Sequence, residues 1–175
     1  MLLKTERLNI RHIEPNDWKS IKEIWEDFNA SSLSQYDMPH NTDDDDVRGR
    51  IAKWAAASNG TEHIFFAVCL DETVIGFFSF NIREDSHELG YCFHSKYQGK
   101  GYAKESLAAL IEYLTAIGIK KLTAGTAINN IPSVSLLKSL GFELIGTEKV
   151  SFYKDEHGSD IFFEGGIFEL NIELK

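Results

Sequence analysis

The stretch that is most informative about the fold lies near the middle of the chain: Tyr97-Gln98-Gly99-Lys100-Gly101-Tyr102-Ala103. It follows an apolar, strand-like segment from Leu89 to Phe93. After it, apolar residues recur at the spacing of one helix face, namely Ala103, Leu107, Leu110, Ile111 and Leu114. The sequence therefore predicts a strand, a tight glycine-containing loop and the start of a helix.

A loop of this kind can bind an anion. The first backbone N–H groups of a helix have no partner within the helix, and the helix dipole favours negative charge there. Gly99 and Gly101 remove side chains where phosphates would approach the backbone, and Lys100 adds a positive charge. The simpler alternative is a glycine-rich turn that only begins a helix.

Two common phosphate-binding loops do not fit this stretch. A P-loop needs two glycines separated by four residues, followed by Lys and Ser or Thr, and that spacing is missing. The dinucleotide pattern G-x-G-x-x-G has Lys104 in place of its third glycine, and Lys120 and Lys121 stand where a ribose-binding acid belongs. A nicotinamide-dependent dehydrogenase is therefore disfavoured.

Three ordered blocks instead resemble the GCN5-related N-acetyltransferases (GNAT). Residues 98–103 resemble the family's Q/R-x-x-G-x-G/A loop, and residues 130–142 resemble its N-x-x-S helix followed by K-x-G-F. The opening, residues 5–11 (T-E-R-L-N-I-R), is similar to the start of the branch that includes the ribosomal-protein N-acetyltransferases. The resemblance implies acetyl-CoA as cosubstrate and covers almost the whole chain.

The order of predicted elements agrees with this resemblance. Strands that pair together, then alternate with helices, then pair again indicate an α+β fold in one domain over residues 1–175. The resemblance implies a mixed, mostly antiparallel sheet flanked by helices, with a splayed pair of central strands. We expect an edge strand at 8–13, a helix from Trp18 to Phe28, and a helix capped by Thr42 with residues 43–46 in its first turn. Further strands are expected at 64–70, 74–82, 86–93, 122–126, 142–153 and 161–172.

The resemblance also implies which residues would hold acetyl-CoA. The loop residues Gln98, Gly99, Lys100, Gly101, Tyr102 and Ala103 would hold its pyrophosphate. Backbone groups of Tyr91, Cys92 and Phe93 would pair with the pantetheine arm and the thioester carbonyl, in the manner of an oxyanion hole. Asn130 would hydrogen-bond the same arm. The alternative for Asn130 is capping the helix that follows it.

Glu88 is the expected general base for deprotonating the amine. Several family members carry a glutamate about ten residues before the loop glutamine, and a half-buried carboxylate can accept a proton through water. The alternative is a solvated side chain on an alternating strand. His87 and His94 are weaker candidates for the same role.

The general acid is less clearly marked. Many relatives carry a Tyr where this chain has Leu137, so we expect Ser133 to help protonate the departing thiolate. Ser133, like Asn130, is also a residue type suited to helix capping. Cys92 lies close enough to the expected acetyl site for nucleophilic catalysis to be an alternative, although we expect Cys69 and Cys92 to be reduced core thiols.

Composition restricts the class of protein. The 175 residues are 43% hydrophobic and 26% charged, as in an ordinary globular protein. Without a span-length apolar run or a signal peptide, we expect a cytoplasmic protein with no membrane partner. The net charge of −9 argues against nucleic acid, and it is compatible with either a cationic amine substrate or simple solubility. The six histidines show no paired metal-ligand spacing, so no metal is expected.

The sequence thus predicts transfer of the acetyl group of acetyl-CoA to a primary amine, by direct attack in a ternary complex. The acceptor stays open among a protein N-terminus, a polyamine, an aminoglycoside and another small amine. A homodimer is kept open as an assembly. The alternative from another class is a catalytically weak CoA-binding sensor or interaction module, which the absence of Tyr at Leu137 would favour.

Overall fold

The computed structural model describes residues 2–83 and 86–172. Within these residues all strands join one sheet in the order β1-β2-β3-β4-β5-β6-β8-β7. The strands are β1 (Leu2–Lys4), β2 (Asn9–His12), β3 (His63–Leu70), β4 (Thr73–Arg83), β5 (Ser86–Phe93), β6 (Lys121–Ala127), β7 (Glu143–Lys154) and β8 (Asp160–Asn171). The helices are α1 (Trp18–Asn29), α2 (Asp44–Ala57), α3 (Tyr102–Ala116) and α4 (Ile131–Ser139).

The helices cover both faces of the sheet. On one face, apolar residues of α1 and α2 pack on β3 and β4, with Ile21, Trp25 and Ile51 almost completely buried. On the other face, Leu107 and Leu110 of α3 pack with the α4 residues against the central strands. The burial of one stripe on each helix follows the periodicity of the sequence and stabilises both layers.

The sheet is antiparallel except between β5 and β6, which run parallel. These two strands pair at two positions within the described residues, His87 with Leu122 and Glu88 with Thr123. Beyond Glu88 they diverge, while β5 stays paired with β4 as far as Phe93 and β6 stays paired with β8 as far as Ala127. The predicted α+β fold with a splayed central strand pair is confirmed.

Two local predictions were wrong. The strand at β2 is not an edge strand, because β1 pairs with it through Leu3 opposite Ile10. The cap of α2 is Asp43 rather than Thr42, because the Asp43 carboxylate accepts hydrogen bonds from the backbone N–H groups of Asp45 and Asp46. A short 3-10 helix, Ser32–Tyr36, lies between α1 and α2.

No helix in the described part of the chain is both long and apolar enough to cross a membrane. The cytoplasmic location stays a prediction from the sequence. In residues 2–83 and 86–172, no group of three or more His, Cys, Asp or Glu side chains is arranged to hold a metal ion.

Candidate active site

A cavity of about 770 Å³ opens where β5 and β6 diverge. Residues 88–93 of β5 and 125–127 of β6 form its two sides, and the loop at 97–104 and helix α4 form one end. The other end is lined by the end of α1, the 3-10 helix and the β7–β8 hairpin. The parting of two neighbouring strands therefore creates a cleft through the sheet with backbone on both sides.

The glycine loop has the geometry of an anion site. Gly99 and Gly101 have φ of 72° and 82°, in the left-handed region that favours glycine, and Gly101 is the N-cap of α3. Among the described residues, no backbone N–H from Gly99 to Lys104 donates a hydrogen bond to another protein group. Six consecutive donors at a helix N-terminus fit a pyrophosphate.

The side chains of the loop have separate roles. The Gln98 amide donates to the backbone carbonyl of Phe93 at 2.9 Å and thereby ties the loop to the end of β5. Lys100 is absent from the cavity wall, and its ammonium lies 5.9 Å from the ring centre of Tyr97. Tyr102 and Ala103 line the cavity together with the two glycines.

A clamp from the N-terminal segment holds this loop from behind. The Arg7 guanidinium donates to the carbonyl of Lys100 at 3.0 Å and to the Glu105 carboxylate at 2.7 Å. Thr5 donates to the same carboxylate at 2.6 Å, and the Arg7 guanidinium stacks 4.5 Å from the centre of the Tyr102 ring. Burial alone would raise the pKa of Glu105, but the bonds from Thr5 and Arg7 lower it.

The sequence did not reveal this clamp as a unit. The T-E-R motif marked residues 5–7, but Glu105 is 98 residues away from Arg7 and belongs to the first turn of α3. An acidic residue in the first turn of a helix is favoured by the helix dipole alone. Its presence therefore gave no separate signal.

Tyr91 and Ser133 meet across the cleft. The Tyr91 hydroxyl and the Ser133 hydroxyl lie 2.7 Å apart, and both residues line the cavity. Burial raises the pKa of Tyr91 to about 12, partly offset by this hydrogen bond. The sequence indicated Tyr91 only for its backbone, so its hydroxyl was missed.

Asn130 caps helix α4 and also reaches the cavity. Its side-chain oxygen accepts a hydrogen bond from the backbone N–H of Ser133 at 3.3 Å. Leu137, where many relatives carry Tyr, is fully buried in the core and is not part of the cavity wall. Its identity therefore does not decide whether the cleft contains a hydroxyl group.

Glu88 lines the cavity at the last point where β5 and β6 pair. Its side chain is 42% exposed, and its carboxylate accepts a hydrogen bond from Nε of Arg83 at 2.5 Å. The two histidines considered as alternatives do not line the cavity. His87 stacks on Phe80 with ring centres 4.9 Å apart, and His94 accepts a hydrogen bond from the Lys96 N–H.

Cys92 lines the cavity on the face that carries α1 and α2. Burial raises the pKa of its thiol to about 12, and the nearby carboxylates of Asp37 and Asp27 raise it further. Since the thiolate is the nucleophilic form, this environment works against covalent catalysis by Cys92.

Comparison with known proteins places this geometry in a family. The profile described as "Acetyltransferase (GNAT) domain" matches residues 7–143. The Bacillus subtilis uncharacterized N-acetyltransferase YnaD is 28% identical over 168 residues, covering 93% of this chain and 95% of the relative. The uncharacterized N-acetyltransferase p20 of Bacillus licheniformis is 30% identical over 151 residues, which cover 82% of this chain and 83% of the relative.

A solved structure shares the fold. It is RimL, a ribosomal L7/L12 alpha-N-protein acetyltransferase, in complex with coenzyme A. The two chains superimpose with a TM-score of 0.83 at 18% sequence identity, over 98% of each chain. At this identity the likeness establishes the fold.

Proposed function

The chain belongs to the GNAT family and is an acetyl-CoA-dependent N-acetyltransferase, and from that premise we propose direct acetyl transfer to a primary amine within a ternary complex. In this reaction the amine nitrogen bonds to the acetyl carbon and the carbon–sulfur bond breaks. The base receives the proton of the amine, and the thiolate receives a proton from an acid. The observation that carries the proposal is that one cavity is lined both by the glycine loop, whose N–H groups have no protein partner in the described part of the chain, and by the 3-10 helix and the β7–β8 hairpin at its far end.

The anchoring of acetyl-CoA is proposed for the residues of the cleft. The N–H groups of residues 99–104 would hold the pyrophosphate, as charge and geometry at a helix N-terminus favour. The backbone of Tyr91, Cys92 and Phe93 faces the gap left by β6 and would pair with the pantetheine arm and the carbonyl. Asn130 would add a side-chain hydrogen bond. The glycine conformations and the strand divergence support this arrangement.

Glu88 is proposed as the general base, acting through water. It lines the cavity and sits at the vertex of the cleft, while neither histidine candidate reaches the cavity wall. Its hydrogen bond to Arg83 fixes the orientation of the carboxylate and leaves the second oxygen available to water.

Ser133 is proposed as the donor that protonates the thiolate, with Tyr91 orienting its hydroxyl. With the Tyr91 hydroxyl as donor in their 2.7 Å contact, the oxygen of Ser133 accepts and its own O–H would be free to donate to the thiolate. Two coupled hydroxyl groups can replace the single Tyr found on this helix in many relatives.

The acceptor is proposed to be a primary amine of a protein N-terminus or of a small molecule. The structural relative is named for an N-terminal protein acceptor. A small amine would equally fit a cavity that is lined at its far end by side chains of the 3-10 helix and the β7–β8 hairpin.

The direct test is turnover. The protein is incubated with acetyl-CoA and a panel of amines and peptide N-termini, and free thiol release is measured with the acetylated product identified by mass spectrometry. We expect sequential kinetics with at least one amine. Binding of acetyl-CoA without amine-dependent thiol release would instead support the CoA-binding module.

A further inference from the structure

The far end of the cavity has aromatic walls. Phe28 of α1, Tyr36 of the 3-10 helix, and Phe152 and Phe163 of the β7–β8 hairpin line it. The ring centres of Tyr36 and Phe163 lie 5.4 Å apart in an edge-on arrangement, and those of Phe152 and Phe163 lie 5.8 Å apart. This end is therefore built to contact a flat or bulky apolar group.

A hydrogen bond joins the two walls. The hydroxyl of Tyr153 donates to the backbone carbonyl of Ser34 at 3.1 Å, so the hairpin and the 3-10 helix are directly connected. The aromatic pair Tyr36 and Phe163 strengthens the same junction. Direct contacts between the hairpin and the 3-10 helix thus join the two walls of the far end.

The charges of the cavity wall are unevenly distributed. Among the described residues its charged side chains are Asp37, Glu88, Glu148 and Lys104. Lys104 belongs to the first turn of α3, at the end with the glycine loop. The aromatic end has the carboxylates of Asp37 and Glu148, and its wall contains no cation in the described part of the chain.

Neither carboxylate forms an ion pair with a Lys or Arg side chain among the described residues, although Asp37 accepts a hydrogen bond from the backbone N–H of Met38 at 2.7 Å. In residues 2–83 and 86–172, the carboxylate of Glu148 makes no hydrogen bond or ion pair, and only its backbone pairs, with Gly165 of β8. Asp37 lies 4.0 Å from His40, whose pKa is lowered by burial, so that imidazole is mostly neutral near neutral pH. Lys149, the neighbour of Glu148, lies over the Phe162 ring, outside the cavity wall.

We infer that the acceptor is an amine attached to an aromatic or similarly bulky apolar group, with no free carboxylate beside the amine. This inference rests on the proposed function. The ammonium form is attracted by Asp37 and Glu148, whereas the α-carboxylate of a free amino acid is repelled and meets no cation in the described cavity wall at that end. A polyamine or an aminoglycoside would satisfy the carboxylates but would leave the aromatic walls unused.

Two kinds of acceptor carry such an amine: a small arylalkylamine, and a peptide whose first residue is aromatic. The test compares kcat/KM for phenylalanine, phenylalaninamide, phenethylamine, a Phe-led tripeptide amide and spermidine. Each value is corrected for the neutral fraction of the amine, because an amide lowers the pKa of its neighbouring ammonium group. A higher value for phenethylamine or for the peptide assigns the source, and either supports the inference.

We expect kcat/KM for phenylalaninamide to exceed that for phenylalanine by roughly tenfold or more, because the carboxylate of phenylalanine would be repelled at close range by the carboxylates of the wall. Glu148→Lys should reduce that ratio by about tenfold, because it places a cation beside the acceptor. The control is Glu156→Lys, which makes the same charge change on a side chain 86% exposed in the hairpin turn, and its ratio should stay unchanged.

Two results would overturn the inference while the proposed function stands. One is turnover of phenylalanine or spermidine at least as fast as that of phenylalaninamide. The other is an unchanged ratio of kcat/KM for phenylalaninamide to that for phenylalanine in Glu148→Lys, in a protein whose unfolding temperature shows that it is folded. If no amine of any class releases thiol, the proposed function itself has failed.

Discussion

The hydroxyl groups of Tyr91 and Ser133 lie 2.7 Å apart and connect β5 to α4 across the cleft between the diverging strands. Both residues line the cavity, so the contact belongs to the site rather than to the core. The Ser133 hydroxyl therefore has a hydrogen-bond partner, Tyr91, that lies outside helix α4. The proposed acid is therefore a pair of coupled side chains.

Ser133→Ala should lower kcat more than it raises the acetyl-CoA KM, because its hydrogen bond strengthens only as the thiolate forms. Tyr91→Phe should lower kcat less, and the double variant should lose little beyond Ser133→Ala, since the two hydroxyl groups act together. Steady-state kinetics of the three variants measure this coupling. Additive losses would mean that the two hydroxyl groups act independently, and an unchanged kcat in Ser133→Ala would limit Ser133 to a structural role.

Gly101→Val should sharply weaken acetyl-CoA binding measured by calorimetry. Gly101 has φ of 82° and opens α3, so a β-branched side chain strains the loop that carries the N–H donors, and its Cβ would lie 3.4 Å from the Arg7 guanidinium that holds this loop. The matched control is Gly118→Val, at φ 89° with open space around its Cβ position beyond the other end of α3. Both changes should cost about 1–3 kcal/mol of stability, but only the first should affect binding.

Arg7→Ala should raise the acetyl-CoA Kd several-fold, although Arg7 lies behind the loop. The guanidinium holds the Lys100 carbonyl and the Glu105 carboxylate, and both positions belong to the loop and its helix. Because Arg7 is 41% exposed, the cost in unfolding free energy should stay near 1 kcal/mol or less. Lys22→Ala removes another exposed ion pair, with Asp44 at 2.5 Å, and should leave the Kd unchanged.

Glu88→Gln should lower kcat by roughly ten- to ten-thousand-fold, the usual range for loss of a general base, with little effect on CoA affinity. The acid limb of the pH–rate profile should disappear with it. Arg83→Gln serves as the control, because it removes the hydrogen-bond donor and leaves the carboxylate in place. Equal losses in both variants would assign a structural role to the pair, and a near-normal Glu88→Gln rate would exclude Glu88 as the base.

Cys92→Ala should stay active and should flatten the alkaline loss of stability. The folded state holds the pKa of Cys92 at about 12, above its ordinary value near 9, so the stabilising contribution is complete below about pH 9. It is lost as the pH rises toward 12, since only the unfolded state releases the proton. Between about pH 8 and pH 10.5, the wild-type unfolding free energy should fall by about 1–2 kcal/mol more than that of Cys92→Ala, as urea unfolding would measure.

Ping-pong kinetics or an acetylated Cys92 would contradict direct transfer.

Local sequence signals predicted the central element of the fold closely. The strand at 86–93 and the helix after the glycine loop lie where periodicity and the two glycines indicated. The α2 cap was misplaced by one residue, because Thr42 and Asp43 are both good caps and only the geometry of the turn selects Asp43. The β2 strand was taken for an edge, since β1 has only three residues and too short a pattern to detect.

The sequence by itself determined the family and the strand–loop–helix unit around the two glycines, because these depend on residues close together in the chain. Only the tertiary structure joined Tyr91 to Ser133, Arg7 to Glu105, and Tyr36 to Phe163. Each of these contacts spans tens of residues, so its geometry follows from sheet order and from the divergence of β5 and β6. The carboxylates and the aromatic side chains at the far end of the cavity come together through tertiary packing, and no local sequence pattern specifies their arrangement.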